Sequence, residues 1–505
     1  MNNSFIFNNI WQIVENTYNF ILIYPDIFLI TILMINITYL VILDYIFKNK
    51  FILTNIAKIL TLLTLIISFF LVLNNYFLNL IAFNGLLFGN KFNYFVKLIL
   101  IFVFIILLFL SINYLIKENM VNFEYFILLL LVLLGLFMIT SAYDLLSLYL
   151  AIELQSLCFY ILATLKNYTN FSSEAGIKYF ILGAFSSGLL LFGSSIIYGF
   201  TGLTDFYNLE LFFQNQGINN LLTSGLTVGF IFIISGLLFK ISAAPFHMWA
   251  PDVYEGSPTI ITAIFSIVPK IAILTLFSQI FIRIFNQNIF YVNQFLLICG
   301  VLSLVVGTFG ALYQVKLKRL LAYSGISHVG FILIGLSIIS IESFYSFLFY
   351  VLIYMVLSLN IFALLLSFRK WINNLKIKKI NEVIFLSRSN MVLAVIFSLS
   401  LFSLAGIPPL VGFYSKFYVF MAGLKSNYYL IIILAAIVSV ISSMYYIRLI
   451  KLLFFRSYNY CFLLCNVSYI NSIIISFTFL FNFFFLFWPN LIITYLNNIT
   501  LFLFL

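Results

Sequence analysis

The sequence predicts an all-α polytopic membrane protein with about fourteen transmembrane helices, two inverted five-helix repeats, and broken helices at the seventh and twelfth positions. Hydrophobic residues make up 64% of the 505-residue chain and charged residues only 8%, whereas soluble domains carry about 25% charged residues. Apolar runs of transmembrane length follow one another along most of the chain. Lysines inside some of these runs lie close to prolines, which is a pattern typical of functional membrane helices. These observations exclude a soluble globular domain.

Each span needs about 20 mainly apolar residues to cross the hydrocarbon core. The segment 76–92 contains too many Asn and Gly residues for a span, and we expect it at the membrane interface. The final segment, 490–505, is ambiguous for a similar reason. We therefore predict fourteen spans, a number that could differ by one. The predicted spans are 28–47, 52–74, 94–116, 123–141, 144–165, 178–200, 224–246, 258–282, 294–314, 320–340, 344–367, 391–421, 428–450 and 467–487.

Basic residues predict the orientation of these spans. Loops after odd-numbered spans hold sixteen basic residues, whereas loops after even-numbered spans hold only Lys91, Arg283 and Lys425. Basic loops stay on the cytoplasmic or matrix side, so both termini should face the opposite compartment. The sixteen are Lys48, Lys50, Lys117, Lys166, Lys316, Lys318, Arg319, Arg369, Lys370, Lys376, Lys378, Lys379, Arg388, Arg448, Lys451 and Arg456.

Six further lysines lie within or near the spans. Lys58, Lys97 and Lys178 are within about two turns of a helix end, where we expect the flexible side chain to reach the interface. The other three lie deeper, and each is close to a helix-breaking residue. A buried lysine costs at least about 2.5 kcal/mol in a membrane, so these three are candidate proton carriers. The pairs are Lys240 with Pro245, Lys270 with Pro269, and Lys416 with the run Gly406 to Gly412.

Glu153 is the one acidic residue near the middle of a predicted span. It is a candidate ion partner for Lys240, because at about 6 Å and an effective dielectric constant near 20 their attraction is roughly 2.8 kcal/mol. That attraction is comparable to the cost of burying the charge, so a small movement would decide whether the lysine keeps its proton. The alternative is a protonated Glu153 that is hydrogen-bonded to a serine or to the backbone.

The two histidines, His247 and His328, lie beside basic or proline-containing segments. Each is a candidate proton relay, and each could equally be a hydrogen-bonded core residue. The four cysteines are interpreted as small core residues, because they lack the paired spacing of a metal site. No nucleotide-binding or iron–sulfur motif is present, so we expect no redox cofactor and no metal in this chain. The cysteines are Cys158, Cys299, Cys461 and Cys465.

A faint internal repeat predicts the domain organisation. Residues 144–153 end in Glu153 and residues 319–328 end in His328, with similar leading sequences, in the fifth and tenth spans. Two five-helix units separated by an odd number of helices have opposite topology, as in many transporters. We therefore predict an N-terminal three-helix anchor at 1–120, repeats at 121–285 and 286–455, and a C-terminal helix and tail at 456–505.

Four segments carry a resemblance to a known family. DLLSLYLAIELQSLCFYILATLKN, SSEAGIKYFILGAFSSGLLLFGSSIIYGFTG, LLFKISAAPFHMWAPDVYEGSPT and KLKRLLAYSGISHVGFILIG closely resemble the subunit 2 family of NADH-ubiquinone oxidoreductase. This family belongs to the antiporter-like membrane subunits of respiratory complex I. The resemblance covers about residues 120–455.

The resemblance implies a fourteen-helix subunit of the proton-pumping membrane arm. Glu153, Lys240, Lys270 and Lys416 resemble the family's proton-translocating positions, whereas His247 and His328 match other positions of its polar axis. NADH, FMN, iron–sulfur clusters and ubiquinone would be bound by partner subunits, and this chain would hold no cofactor. The expected partners are other membrane-arm subunits and membrane lipids, without nucleic acid.

Two other functions remain open from the residues alone. The chain could belong to a free-standing cation/proton antiporter, or it could be a structural membrane subunit whose polar residues hold helices together. The composition, with 63 Phe residues and no recognisable targeting peptide, favours synthesis inside the compartment that uses the protein. With the resemblance, this predicts an organelle-encoded, multi-pass protein of the mitochondrial inner membrane with both termini in the intermembrane space.

Overall fold

The computed structural model describes residues 25–47, 50–75, 80–120, 122–166, 168–215, 220–283, 290–370, 376–455, 465–485 and 489–504. In these ranges the chain is mainly helical. The elements are α1 (Pro25–Phe47), α2 (Lys50–Asn74), β1 (Leu80–Ala82), β2 (Leu87–Gly89), α3 (Lys91–Lys117), α4 (Glu124–Ser141), α5 (Leu145–Ala163), α6 (Asn170–Thr201), α7 (Phe206–Asn215), α8 (Asn220–Lys240), α9 (Trp249–Gly256), α10 (Thr259–Arg283), α11 (Phe290–Leu312), α12 (Leu317–Ser337), α13 (Ile341–Ser367), α14 (Phe385–Ser389), α15 (Met391–Ala405), α16 (Val411–Lys425), α17 (Tyr429–Phe455), α18 (Tyr469–Phe484) and α19 (Pro489–Phe504).

The helices confirm the predicted membrane fold. Among the described residues, eleven helices are long and apolar enough to cross a membrane. Three shorter apolar helical stretches, Gly225–Lys240, Met391–Ala405 and Tyr469–Phe484, coincide with the three remaining predicted spans. Helix α8 ends at Lys240 and α15 ends at Ala405, so the seventh and twelfth predicted spans are interrupted, as the proline and glycine positions predict.

The first of two compact units comprises residues 1–105 and 119–159. In its described part, α1 packs against α2 and α4, and α2 also contacts α4. The segment for which we predicted no membrane helix contains the antiparallel β1–β2 hairpin. The carbonyl oxygen of Leu86 in this hairpin accepts hydrogen bonds of 3.0 Å from the Tyr143 amide and the Ser147 hydroxyl. These bonds attach the hairpin to the start of α5.

Lys97 corrects one expectation about the intramembrane lysines. We expected its side chain to reach the interface, but only 1% of it is exposed. Its ammonium group lies 2.9 and 2.7 Å from the two carboxylate oxygens of Asp26, which is also buried. The Ser141 hydroxyl donates to the same carboxylate at 3.2 Å. The prediction was wrong because proximity to a helix end does not reveal a buried counter-ion supplied by a helix 71 residues away.

The second compact unit comprises residues 106–118 and 160–505. Its helices approach closely where glycines face each other. A Cβ atom on Gly193 of α6 would lie 2.6 Å from the carbonyl oxygen of Gly229 on α8, and one on Gly307 of α11 would lie 2.6 Å from the Ser327 amide nitrogen of α12. Small residues permit this close backbone contact. It supports helix association in a membrane, because lipid solvates apolar side chains as well as another helix does.

A buried ion cluster joins loops that we predicted to lie on one side of the membrane. The Glu118 carboxylate contacts Lys166 at 2.9 Å and both Arg369 and Lys376 at 3.1 Å. These residues follow the third, fifth and eleventh predicted spans. Burial raises the pKa of Glu118, but the charges of Lys376 and Lys166 outweigh burial, so the pKa lies below its ordinary value.

A second cluster brings two further odd-numbered loops together. The guanidinium of Arg319, after the ninth predicted span, contacts Asp252 at 2.9 Å and Glu255 at 3.5 Å. Both acids lie on α9, after the seventh span, and Glu255 also pairs with Lys316. The second unit therefore gathers its basic loops as the alternating topology requires. Which compartment they face, and the domain boundaries at 120, 285 and 455, stay predictions.

Candidate functional site

The break in the seventh predicted span positions Lys240. Helix α8 ends at Lys240, and Ser242 adopts a φ of 61° that a continuing helix does not allow. The indole nitrogen of Trp249 on α9 donates a 2.9 Å hydrogen bond to the carbonyl oxygen of Phe239, which satisfies an acceptor exposed by the break. Lys240 therefore lies in the last turn of a helix, where the helix dipole favours a positive charge.

The ammonium group of Lys240 is buried and donates to the hydroxyl of Tyr160, 3.3 Å away. The Tyr160 ring packs edge-on against Tyr179, with ring centroids 4.8 Å apart. Tyr179 in turn stacks on Trp249 at 4.6 Å. The aromatic residues fix the hydroxyl in front of the lysine, so the polar contact is held by apolar packing.

We predict that Gly183→Ala on α6 weakens this contact. A Cβ atom at Gly183 would overlap the Tyr160 hydroxyl, so the phenol must move away from Lys240. Gly188 on the same helix is the matched control, because a Cβ atom there meets nothing within 4 Å. Proton-coupled turnover per assembled complex should fall about three- to tenfold in Gly183→Ala, since misplacing a proton-transfer partner reduces its contribution. Equal turnover in Gly183→Ala and Gly188→Ala would contradict the prediction.

Glu153 is half-buried on α5 in the first compact unit. Its carboxylate oxygen Oε2 accepts a hydrogen bond of 3.3 Å from the hydroxyl of Ser156, one turn later. Serine is one of the hydrogen-bonding partners named in the alternative that we left open for Glu153. The pairing of Glu153 with Lys240 stays a prediction.

Lys270 lies inside α10, which continues through Pro269 without interruption. Its buried ammonium group donates to the hydroxyl of Tyr354 at 3.1 Å and to the carbonyl oxygen of Gly325 at 3.4 Å. A Cβ atom at Gly325 would lie 3.0 Å from both the Lys270 nitrogen and the Tyr354 hydroxyl. Glycine at this position therefore leaves the space in which the lysine and the tyrosine meet.

His328 is held between two tyrosines. Its Nδ1 atom lies 2.8 Å from the hydroxyl of Tyr350, and its Nε2 atom lies 3.1 Å from the hydroxyl of Tyr446. A neutral imidazole donates from one nitrogen and accepts at the other. The two contacts therefore orient the ring and leave either tautomer compatible with the geometry.

The break in the twelfth predicted span positions Lys416. Helix α15 ends at Ala405, and Gly406 adopts a left-handed φ of 83° that glycine tolerates without strain. From the second turn of α16, the ammonium group of Lys416 reaches back and donates to the carbonyl oxygen of Ala405 at 2.7 Å. The C-terminal end of α15 thus supplies both an acceptor and a favourable dipole for the charge.

A small cavity lies between α12, α13, α15 and α16. It measures about 10 Å³ as space for the centre of a water molecule. This is close to the volume of about 10–15 Å³ that one ordered water requires. The polar side chains among its lining residues are those of His328, Tyr350, Tyr354, Ser403, Ser415 and Lys416.

Lys270 and His328 both contact Tyr354, and His328 and Lys416 line the same cavity, whereas the roles of these residues in proton transfer stay predictions. Lys240 lies at the other broken helix, and the buried His247 lies in the link between α8 and α9, so a relay role for His247 stays a prediction.

The sequence reasoning missed the tyrosines. Tyr is abundant in this chain, with 32 residues, and only the fold shows which of their hydroxyls face the charged groups.

Cys158 and Cys299 are buried, which agrees with their interpretation as small core residues, and Cys465 is half-buried. Cys461 lies outside the described residues. No group of three or more His, Cys, Asp or Glu residues in the described ranges could hold a metal ion.

Residues 142–442 match the family described as NADH:quinone oxidoreductase/Mrp antiporter, TM. The chain is 41% identical to NADH-ubiquinone oxidoreductase chain 2 of Marchantia polymorpha over 94% of this chain and 96% of that protein. It is also 41% identical to NADH-quinone oxidoreductase subunit N of Rhodospirillum rubrum, over 74% of this chain and 76% of that protein.

Solved structures show the same fold. A chain of respiratory complex I from Thermus thermophilus matches with a TM-score of 0.75 and 26% identity, covering 92% of this chain and 98% of that chain. A chain of the Mrp complex from Dietzia sp. matches with a TM-score of 0.80, covering 94% and 97%, but at 17% identity this likeness concerns the fold alone.

Proposed function

Because the chain belongs to the NADH:quinone oxidoreductase/Mrp antiporter family, we propose that it is a proton-translocating, antiporter-like subunit of a respiratory NADH:ubiquinone oxidoreductase. The carrying observation is that His328 and Lys416 line one small cavity inside the membrane fold, and that Lys270 contacts Tyr354, which lines the same cavity. Ionisable residues buried in a membrane typically mark ion pathways. Here three of them are within reach of polar hydroxyls or carbonyls, which a proton pathway requires.

In the proposed pathway, a proton from the side of the basic loops reaches Lys240, passes laterally by Lys270 and His328 to Lys416, and leaves on the opposite side. The negative charge of Glu153 attracts the Lys240 ammonium group and so favours the protonated form of Lys240. When this attraction weakens, Lys240 releases its proton. Adjacent helix axes are about 8–10 Å apart and a hydrogen bond spans about 3 Å, so internal waters must bridge the larger gaps. His247 is a further candidate relay beside the first break.

The chain has no energy source of its own, and moving each proton against the membrane potential costs about 2.3 kcal/mol per 100 mV. We propose that proton movement is driven by electron transfer from NADH to ubiquinone, through FMN and iron–sulfur clusters in partner subunits. The partners in direct contact are then other membrane-arm subunits and lipids. The long match to oxidoreductase subunits favours this function over a free-standing antiporter, for which the likeness concerns the fold alone.

We further propose that the protein resides in the mitochondrial inner membrane, is synthesised inside the organelle, and has both termini in the intermembrane space. The similarity to plant NADH-ubiquinone oxidoreductase chains supports this location. The gathering of odd-numbered basic loops in the second unit supports a common matrix side for them.

The test begins with the intact, detergent-extracted complex. We expect the chain to co-purify with subunits that carry flavin and iron–sulfur absorbance and oxidise NADH. Lys416→Met should then leave NADH oxidation with an artificial electron acceptor unchanged and reduce proton-coupled ubiquinone reduction at least about tenfold. Lys425→Met on the same helix is the control, because Lys425 is exposed and pairs with Glu342. Recovery in a complex without flavin, or full coupling in Lys416→Met, would refute the proposal.

A further inference from the structure

We propose that Tyr354 is the proton-relay residue between Lys270 and Lys416, acting through one water molecule in the cavity between α12, α13, α15 and α16. This inference rests on the proposed proton pathway and adds a residue type that the charged-residue pattern does not include. It changes that pathway at one step: the hydroxyl of Tyr354 takes the place given to His328 between Lys270 and Lys416, and His328 orients neighbouring hydroxyls.

The first argument is direct contact. The Lys270 nitrogen and the Tyr354 hydroxyl are 3.1 Å apart, which is hydrogen-bonding distance. Both side chains are buried. The ammonium group also lies over the Tyr354 ring, 5.0 Å from its centroid. The hydroxyl of Tyr354 is therefore in direct contact with the ammonium group and is positioned to receive its proton.

The second argument concerns His328. Both of its ring nitrogens are hydrogen-bonded to the hydroxyls of Tyr350 and Tyr446. Its ring centroid lies 5.5 Å from that of Tyr354, as a packing contact. For His328 to take a proton from Lys270, one of the tyrosine contacts would have to break. Tyr354 needs no such rearrangement.

The third argument is the cavity, which Tyr354 and Lys416 both line. Its volume of about 10 Å³ suits one water molecule, and such a water needs two to four polar partners. The Tyr354 hydroxyl, the Ser415 hydroxyl and the Lys416 ammonium group can supply them. The cavity thus offers the one bridging water that the step to Lys416 needs.

The transfer conserves protons and charge. The Lys270 ammonium group gives a proton to a lone pair of the Tyr354 oxygen while the Tyr354 O–H gives its own proton to the cavity water. That water passes a proton to neutral Lys416, which becomes an ammonium group as Lys270 becomes neutral. Tyr354 stays neutral, and rotation of its new O–H bond about the Cζ–Oη axis restores the starting arrangement.

Tyr354→Phe removes the hydroxyl and keeps the ring. We expect normal assembly and a fall of at least about tenfold in proton-coupled turnover per assembled complex. The solvent deuterium isotope effect on turnover should also rise, because proton transfer becomes rate-limiting. Tyr345→Phe on the same helix is the matched control, since Tyr345 is buried against Tyr418 and does not line the cavity. A purely structural role of Tyr354 would leave the isotope effect unchanged.

Unchanged turnover and isotope effect in Tyr354→Phe would overturn the relay. If Tyr354→Phe fails to assemble, Gly325→Ala decides, because its methyl group, 3.0 Å from both the Lys270 nitrogen and the Tyr354 hydroxyl, would displace these two groups slightly while keeping both side chains. Normal turnover there would overturn the relay equally. Lys270→Met separates this inference from the proposed function. Lost coupling in Lys270→Met with normal Tyr354→Phe rejects the relay alone, whereas normal coupling in Lys270→Met rejects the pathway itself.

Discussion

In membranes that carry Lys240→Met, we expect the complex to assemble and proton-coupled NADH oxidation to fall by at least about tenfold. Methionine has a similar length and no titratable group, so the buried site keeps its packing and loses its proton carrier. Lys178→Met is the control, because Lys178 is 44% exposed in ion pairs with Glu174 and Asp252.

Substitutions of Glu153 should follow a defined order. If Glu153 is the predicted partner of Lys240, Glu153→Gln removes an attraction that at about 6 Å would amount to roughly 2.8 kcal/mol, so turnover should approach that of Lys240→Met. Glu153→Asp keeps the charge but draws it back by about one carbon–carbon bond, and its turnover should lie in between. The assay is coupled NADH oxidation normalised to assembled complex.

If this pair has a structural role instead, its substitutions should reduce assembly more than turnover. Loss of one partner of a buried ion pair costs about 3–5 kcal/mol and would appear first as lost assembly, with normal turnover in the complexes that form. Normal assembly together with normal coupled turnover in Lys240→Met would exclude Lys240 as a proton carrier.

The Asp26–Lys97 pair should produce the largest effect on assembly. Asp26→Asn and Lys97→Met each leave one buried charge without its 2.7 Å partner, which costs about 3–5 kcal/mol. Either single variant should therefore strongly reduce the amount of assembled complex. The double variant, with both charges removed, should recover most of it, because the Ser141 hydroxyl keeps its hydrogen bond of 2.7 Å to the Phe137 carbonyl oxygen.

The exposed pair Lys425–Glu342 is the control for this experiment. Its side chains are 59% and 57% exposed, and exposed ion pairs contribute about 0–1 kcal/mol. Lys425→Met and Glu342→Gln should accordingly leave assembly close to the parent level. If Asp26→Asn and Lys97→Met behaved like these surface variants, the buried pair would not be needed for assembly. Failure of the double variant to recover would show that the charges themselves are required.

The two broken helices were predictable from local chemistry. Proline lacks an amide donor and clashes with the preceding turn, and the clustered glycines and prolines of residues 406–412 exclude a continuous helix. A lysine within an apolar run can likewise be recognised from the sequence alone. For these reasons the sequence located Lys240 and Lys416 beside the broken helix ends, and for Lys416 that end supplies the hydrogen-bonding partner.

The partners of Lys97 and Lys270, in contrast, could not be predicted from the local sequence. Asp26 lies 71 residues from Lys97, and Tyr354 lies 84 residues from Lys270. Nothing in the local sequence distinguishes Tyr354 from the other tyrosines, because its role depends on which helix packs beside α10.

The sequence by itself determined the membrane class, the approximate spans, the two helix breaks and the lysines beside them. These features depend on hydrophobicity and backbone chemistry, which act over one or two helical turns. The tertiary structure decided that Lys97 is ion-paired, that tyrosine hydroxyls contact Lys240, Lys270 and His328, and that Lys270 and Lys416 lie near one cavity. Burial and hydrogen-bonding partners depend on which helices meet, and that follows only from the packing of residues distant in the chain.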